Sequence, residues 1–185
     1  VNLARHMKDG KLDQEKIKQT VSTAIRMLDN VININYYSVE TAKNSNLKHR
    51  PIGLGMMGFQ DALYVQDIAY CSDEAVEFAD KSMELISYYA IHASTELSKE
   101  RGSYKSYEGS LWSKGILPKD SIEILAENRG NEYINIDRSE TLDWDTLRKK
   151  VIADGMRNSN VMAIAPTATI SNITGVTQSV EPTYQ

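Results

Sequence analysis

The stretch Gly155–Ser171 reads GMRNSNVMAIAPTATIS and contains the pattern that decides the fold class. Within it, the apolar run Val161–Ala165 stops at Pro166, which is typical of a short strand buried on both faces of a parallel sheet. A second short apolar stretch, Ile52–Met56, predicts another such strand. Because long helical patterns separate these strands, the sequence predicts an α/β fold that is predominantly helical with a few buried parallel strands.

The helical patterns are bounded by capping residues. Asp13 is expected to cap a helix whose apolar residues recur at helical spacing as far as Ile32. Ser72 is expected to begin a long helix that ends at Gly102. Asp143 precedes a third, shorter helix. These helices outweigh the strands and make up most of the predicted fold.

Length and composition exclude several classes of protein. A chain of 185 residues corresponds to one domain or to a piece of a larger one, and we expect the latter. The formal net charge of −4 argues against a general nucleic-acid surface. No apolar run approaches the roughly 20 residues of a membrane span. The single cysteine, Cys71, excludes an intrachain disulfide and fits a reducing compartment, so we expect a cytoplasmic protein.

The loop that follows the predicted strand Val161–Ala165 is the strongest candidate for a ligand site. Small hydroxyl residues follow the strand, and a helical turn is expected to begin near Thr169. Backbone N–H groups and hydroxyls at a helix start bind anions, phosphate in particular, without needing a lysine. A capped helix start with no ligand is the alternative. The candidate residues are Pro166, Thr167, Ala168, Thr169, Ile170 and Ser171.

The segment Gly53–Gly58, GLGMMG, matches the G-x-G-x-x-G pattern of dinucleotide-binding proteins. That function requires a strand directly before the glycines, and Arg50 and Pro51 occupy this place instead. We therefore favour a tightly packed turn between a strand and a helix, where glycine permits close approach of the backbone. On this interpretation the chain does not bind NAD(P).

The remaining polar candidates favour structural roles. Arg157 could bind an anion, but a salt bridge is the better interpretation. His6, His49 and His92 are scattered, and no His, Cys, Asp or Glu cluster has metal-ligand spacing. Cys71 precedes a predicted helix and matches no catalytic arrangement. The residues alone predict neither a catalytic group nor a metal site.

Several segments form a recognisable combination. Gly155–Ser159, Pro166–Ser171 and Ser179–Pro182 lie within nearly 30 residues, and Asn2-Leu3, Leu28–Ile32 and Arg50–Gly55 precede them. Together these segments resemble the catalytic large subunit of ribonucleotide reductases, and class I members more than class II members. The order and spacing match across Gly155–Pro182, and the resemblance spans essentially the whole chain.

The resemblance implies a ten-stranded α/β barrel of which residues 1–185 would form part of the second half. It implies a ribonucleoside diphosphate as substrate, or a triphosphate in some members, whose 2′-hydroxyl is removed by thiyl-radical chemistry. The loop at residues 166–171 would cradle the substrate phosphates. The implied partners are the rest of the large subunit and a radical-generating small subunit. The full enzyme would need that metal-containing subunit, or cobalamin in class II, and a thioredoxin-type reductant, with no cofactor in this chain.

Several family features are missing from the sequence. These are the finger loop that carries the thiyl radical, both cysteines of the reducing pair and the N-terminal regulatory region. We therefore expect a segment that is inactive alone and marginally stable when isolated, because strands removed from a barrel leave exposed edges. The alternative is a self-standing, non-catalytic helical interaction module that retains the fold elements.

Overall fold

The computed structural model describes residues 1–183, apart from the Tyr133 side chain, and consists mainly of helices. Within residues 1–183 the α-helices are α1 Gln14–Ile34, α2 Glu40–His49, α3 Phe59–Val65, α4 Asp73–Arg101, α5 Ser121–Arg129, α6 Trp144–Asp154 and α7 Ala168–Thr174. The antiparallel hairpin consists of β1 Met7–Lys8 and β2 Lys11–Leu12. Short 3-10 turns lie at Leu3–His6, Trp112–Lys114, Pro118–Asp120 and Asn131–Tyr133.

The three predicted caps are confirmed. The side chain of Asp13 accepts a hydrogen bond from the N–H of Lys16 at 3.0 Å, and α1 begins there. Ser72 caps α4, which ends at Gly102 with a positive φ of 82°. The Asp143 carboxylate caps α6. In each case a short polar side chain satisfies an N–H group that the first helical turn leaves unpaired.

Helix α4 lies at the centre of the molecule, with α1 and α6 packed against it. The buried residues of α1, four of them apolar, recur at intervals of three or four, as expected for a helix that presents one face to a core. They are Ile17, Val21, Ile25, Asp29 and Ile32. The long α4 is buried on more than one side because it contacts both neighbouring helices. The fully buried aliphatic side chains of this core include Ile17, Val21, Ile25, Ile86, Ile91, Leu97, Leu147 and Val151.

The two predicted strands lie side by side in parallel, as expected, but they form only isolated bridges. Leu54 N–H donates to the Val161 carbonyl at 2.9 Å, and Ala163 N–H donates to the Leu54 carbonyl at 3.1 Å. Asn2 pairs in parallel with Met57, at the far end of the segment of residues 53–58 that contains the glycines. Among residues 1–183 these three extended segments do not close into a barrel.

The prediction that Val161–Ala165 is buried on both faces is wrong for this chain. Val161 is buried, whereas Ile164 is 55% exposed and Ala163 and Ala165 are also exposed. A parallel strand is buried on both faces only when other elements cover both sides of its sheet. In the described part of the chain, such cover reaches only the beginning of this segment.

The glycines at residues 53 and 55 permit the close approach of the two parallel segments. A Cβ atom added to Gly53 would lie 2.7 Å from the Ala163 Cβ, and one added to Gly55 would collide with the Ala163 carbonyl oxygen. Gly58, which precedes α3, has a left-handed φ of 73°. The packing interpretation is therefore confirmed for Gly53 and Gly55, whereas Gly58 supplies the left-handed turn into α3.

Candidate functional site

The candidate loop starts α7 and leaves backbone donors open. Thr167 is the residue before the helix, and the first helical hydrogen bond runs from the Ser171 N–H to the Thr167 carbonyl at 2.9 Å. Within residues 1–183, the N–H groups of Ala168, Thr169 and Ile170 donate to no protein acceptor. Three adjacent backbone donors at one helix start are suited to an anion with several oxygens.

The hydroxyl groups of the loop differ in their availability. Thr169 is exposed, and its hydroxyl makes no hydrogen bond to the described residues. The Thr167 hydroxyl accepts a hydrogen bond from the Ser179 N–H at 2.8 Å. Ser171 is fully buried, and its hydroxyl donates to the Ala168 carbonyl at 3.3 Å. Within residues 1–183, the Thr169 hydroxyl has no partner, and the Thr167 hydroxyl, which accepts from Ser179, keeps its own hydrogen available for a further acceptor. Pro166, Ala168 and Ile170 are exposed.

An apolar groove of about 350 Å³ adjoins the loop. Helix α1 forms one wall of the groove. Residues 53–57, together with Ala163 and Ala165, form the opposite side. Thr167 and Ile170 lie at the border between the groove and the loop. An apolar surface and three unpaired backbone N–H groups therefore lie side by side.

A contact of α3 that the sequence did not suggest holds the segment after α7. One oxygen of the Asp61 carboxylate accepts hydrogen bonds from the Thr177 N–H and the Thr177 hydroxyl, both at 2.7 Å. The Gly58 N–H donates to the Thr177 carbonyl at 2.9 Å. Asp61 belongs to no recognisable motif, and its partner is 116 residues away in sequence, so no local signal could have identified it.

Arg157 forms the structural ion pair that the sequence favoured. The fully buried Asp29 carboxylate pairs with Arg50 at 2.8 Å, with Arg101 at 3.2 Å and with Arg157 at 3.3 Å. The Asn158 side chain donates to the same carboxylate at 3.1 Å. Burial alone would raise the pKa of Asp29, but the hydrogen bonds and positive charge of Arg50, supported by Arg157 and Asn158, hold that pKa below its ordinary value.

No histidine, and not Cys71, forms a hydrogen bond to residues 166–171 within the part of the chain that the structure describes. The ring nitrogens of His6 bond to the Asn2 carbonyl and to the Thr20 hydroxyl, and His49 bonds to Ser106. Cys71 is exposed in the turn before α4. Over residues 1–183, no helix combines the length and the apolarity needed to cross a bilayer.

Comparison with known proteins establishes the family. The family model described as the ribonucleotide reductase barrel domain matches residues 1–185. The chain belongs to this ribonucleotide reductase family. The resemblance to the large subunit of ribonucleotide reductases is therefore confirmed over the whole chain.

Curated relatives of this ribonucleotide reductase chain come from distant organisms. It is 60% identical over 185 residues to the ribonucleoside-diphosphate reductase subunit alpha of Chlamydia muridarum, covering all of this chain and 18% of the relative. It is 45% identical to the same subunit of Helicobacter pylori strain 26695, covering 93% of this chain and 21% of the relative. The large subunit of Caenorhabditis elegans is 39% identical, with coverage of 93% and 20%. The chain thus spans about a fifth of the length of these relatives.

Proposed function

We propose that this chain is a segment of a ribonucleoside-diphosphate reductase and that it binds the phosphates of the ribonucleotide substrate. The full enzyme would convert ribonucleotides to 2′-deoxyribonucleotides for DNA synthesis. In this proposal residues 1–185 form part of the second half of a ten-stranded barrel. The names of the curated relatives support the reaction and the diphosphate substrate.

The main support for a phosphate site is that the backbone N–H groups of Ala168, Thr169 and Ile170 have no acceptor within residues 1–183. These donors follow directly from a parallel segment, at its carboxyl end, where ligands bind in open α/β sheets. Phosphate oxygens would accept from the backbone N–H groups, and the exposed Thr169 hydroxyl would add a further donor. The adjoining groove offers apolar surface for the nucleoside part.

The proposal assigns the radical chemistry to parts of the enzyme outside this segment. The family reaction needs a thiyl radical and a reducing cysteine pair, whereas this sequence contains only Cys71. The isolated chain is therefore expected to be inactive. The relatives are named as subunits, which supports a second, radical-generating small subunit. That subunit would contain the metal, with cobalamin as the class II alternative. A thioredoxin-type protein would supply electrons, and the enzyme would work in the cytoplasm.

Thr169→Glu tests the phosphate site. A carboxylate in the first helical turn is compatible with the helix, so stability should hold, but it would repel a phosphate group. In the large subunit that contains this segment, we expect affinity for a ribonucleoside diphosphate to fall about tenfold and affinity for the nucleoside to change little. Calorimetric titration of both ligands measures the difference.

Asn172→Glu is the matched control because it adds the same charge to an exposed position later in α7. It should leave diphosphate affinity nearly unchanged. If the unaltered protein binds the diphosphate no better than the nucleoside, the phosphate assignment fails. The helical interaction module would then be the function to pursue.

A further inference from the structure

We propose that Asp61 is a positioning residue for the phosphate loop, acting through Thr177 and Ser179 on Thr167. This inference rests on the proposed function because it concerns the same loop. Asp61 itself is half-buried in the first turn of α3 and makes no hydrogen bond to residues 166–171 in the described structure. Its effect would reach the loop through the segment that follows α7.

The first step is the attachment of Thr177 to α3. The Asp61 carboxylate accepts both the N–H and the hydroxyl of Thr177 at 2.7 Å, while the Gly58 N–H binds the Thr177 carbonyl. All three polar groups of Thr177 are thus held by residues 58–61. Hydrogen bonds to a charged carboxylate are stronger than those between neutral groups. Thr177 is therefore a fixed point in the segment after α7.

The second step connects this fixed point to the loop. Two residues beyond Thr177, the N–H of the buried Ser179 donates to the Thr167 hydroxyl at 2.8 Å. Ser179 has a left-handed φ of 42°, a conformation that is uncommon for non-glycine residues and costs free energy unless neighbouring contacts stabilise it. The attachment of Thr177 supplies such a contact.

The donors that these contacts would orient are the backbone N–H groups of residues 168–170. Thr167 is the residue before α7, and its carbonyl accepts the first helical hydrogen bond. Holding the Thr167 side chain fixes the start of the helix and hence the direction of the open N–H groups at residues 168–170. Anion binding by backbone donors requires that these groups converge on one place. Asp61 would therefore control phosphate affinity without touching the substrate.

The test compares nucleoside and diphosphate affinities in the large subunit that contains this segment. Asp61→Ala should lower the ratio of diphosphate to nucleoside affinity about tenfold, because the N–H groups of residues 168–170 would no longer be held in one direction. Asp61→Asn retains an oxygen that can accept from Thr177 and should restore most of the ratio. A purely structural role would lower the melting temperature and leave the ratio unchanged, and that result would overturn the inference.

Two further variants keep the test decisive. Thr177→Val removes the hydroxyl but keeps the backbone N–H, so it should lower the ratio about threefold even if Asp61→Ala does not fold. Tyr64→Phe, on the same helix, removes a hydroxyl that bonds to Thr183 beyond Ser179, and it should leave the ratio unchanged. An unchanged ratio in Thr177→Val would contradict the inference. A ratio near one in the unaltered protein would instead defeat the proposed function, and this inference with it.

Discussion

Gly53 lies so close to Ala163 that a single added methyl group should separate the two parallel segments. The added Cβ would be 2.7 Å from the Ala163 Cβ. We expect Gly53→Ala to lower the free energy of unfolding by roughly 1–3 kcal/mol, the usual cost of overpacking. Adding Ala163→Gly removes the clashing atom and should recover most of this loss. Urea unfolding of the single and double variants measures both effects.

Gly55 provides the control for that experiment. A Cβ at this position would collide with the Ala163 carbonyl oxygen, which belongs to the backbone. Ala163→Gly should therefore fail to rescue Gly55→Ala. Equal rescue at both positions would show that the loss of stability comes from something other than the contacts described here.

The buried Asp29 carboxylate should make stability depend on pH. Its pKa is lowered in the folded chain, so its contribution is fully present above the unfolded pKa of about 4 and is lost as the pH falls through the folded value. We expect Asp29→Asn to reduce stability by about 3–5 kcal/mol at pH 7, because three arginines lose their shared partner. The difference from the unaltered protein should shrink steadily below pH 4.

Glu100 is the matched comparison for the pH experiment. It is an exposed carboxylate that pairs with Arg26 and Arg101, and its hydrogen bond to Arg26 is the main cause that lowers its pKa. Because solvent screens exposed pairs, Glu100→Gln should change stability little at any pH. A pH-independent effect of Asp29→Asn would mean that shape, rather than charge, accounts for the role of Asp29.

At the scale of elements, the helices were predictable where local signals define them. The caps at Asp13, Ser72 and Asp143 each depend on a side chain that bonds to an N–H three residues away. Such contacts are encoded in a short stretch of sequence. Helix α2 was not predicted, because it buries no residue and its first turn lacks a side-chain cap.

The contacts around the loop depend on tertiary structure, which limited what the sequence could indicate. Residues 166–171 were identifiable because a strand end, a proline and small hydroxyl residues occur together. The inward orientation of Ser171 and the bond between Asp61 and Thr177 arise only when distant segments meet. The exposure of Ile164 likewise depends on what covers the sheet, which a run of apolar residues does not specify.

At the scale of the whole molecule, several large apolar side chains face solvent. Ile34 is 80% exposed, Ile173 is 78% exposed and Ile164 is 55% exposed. Ile164 belongs to an extended segment that pairs with a neighbour on only one side within residues 1–183. Unpaired strand edges and exposed apolar side chains both favour association with other chains. The chain therefore has surfaces suited to contact with the rest of a larger subunit.

This surface predicts that the isolated chain has low stability and gains stability from the remainder of the large subunit. A separately expressed remainder would cover the apolar side chains and pair with the open edge, and binding to the folded state alone raises its stability. We expect the dilute chain to melt below about 55 °C or to aggregate, and to melt higher once the remainder is added. Calorimetry with light scattering measures both, with an unrelated protein of similar size as control. A cooperative melt of the dilute monomer above about 55 °C, unchanged by the remainder, would favour the self-standing module instead.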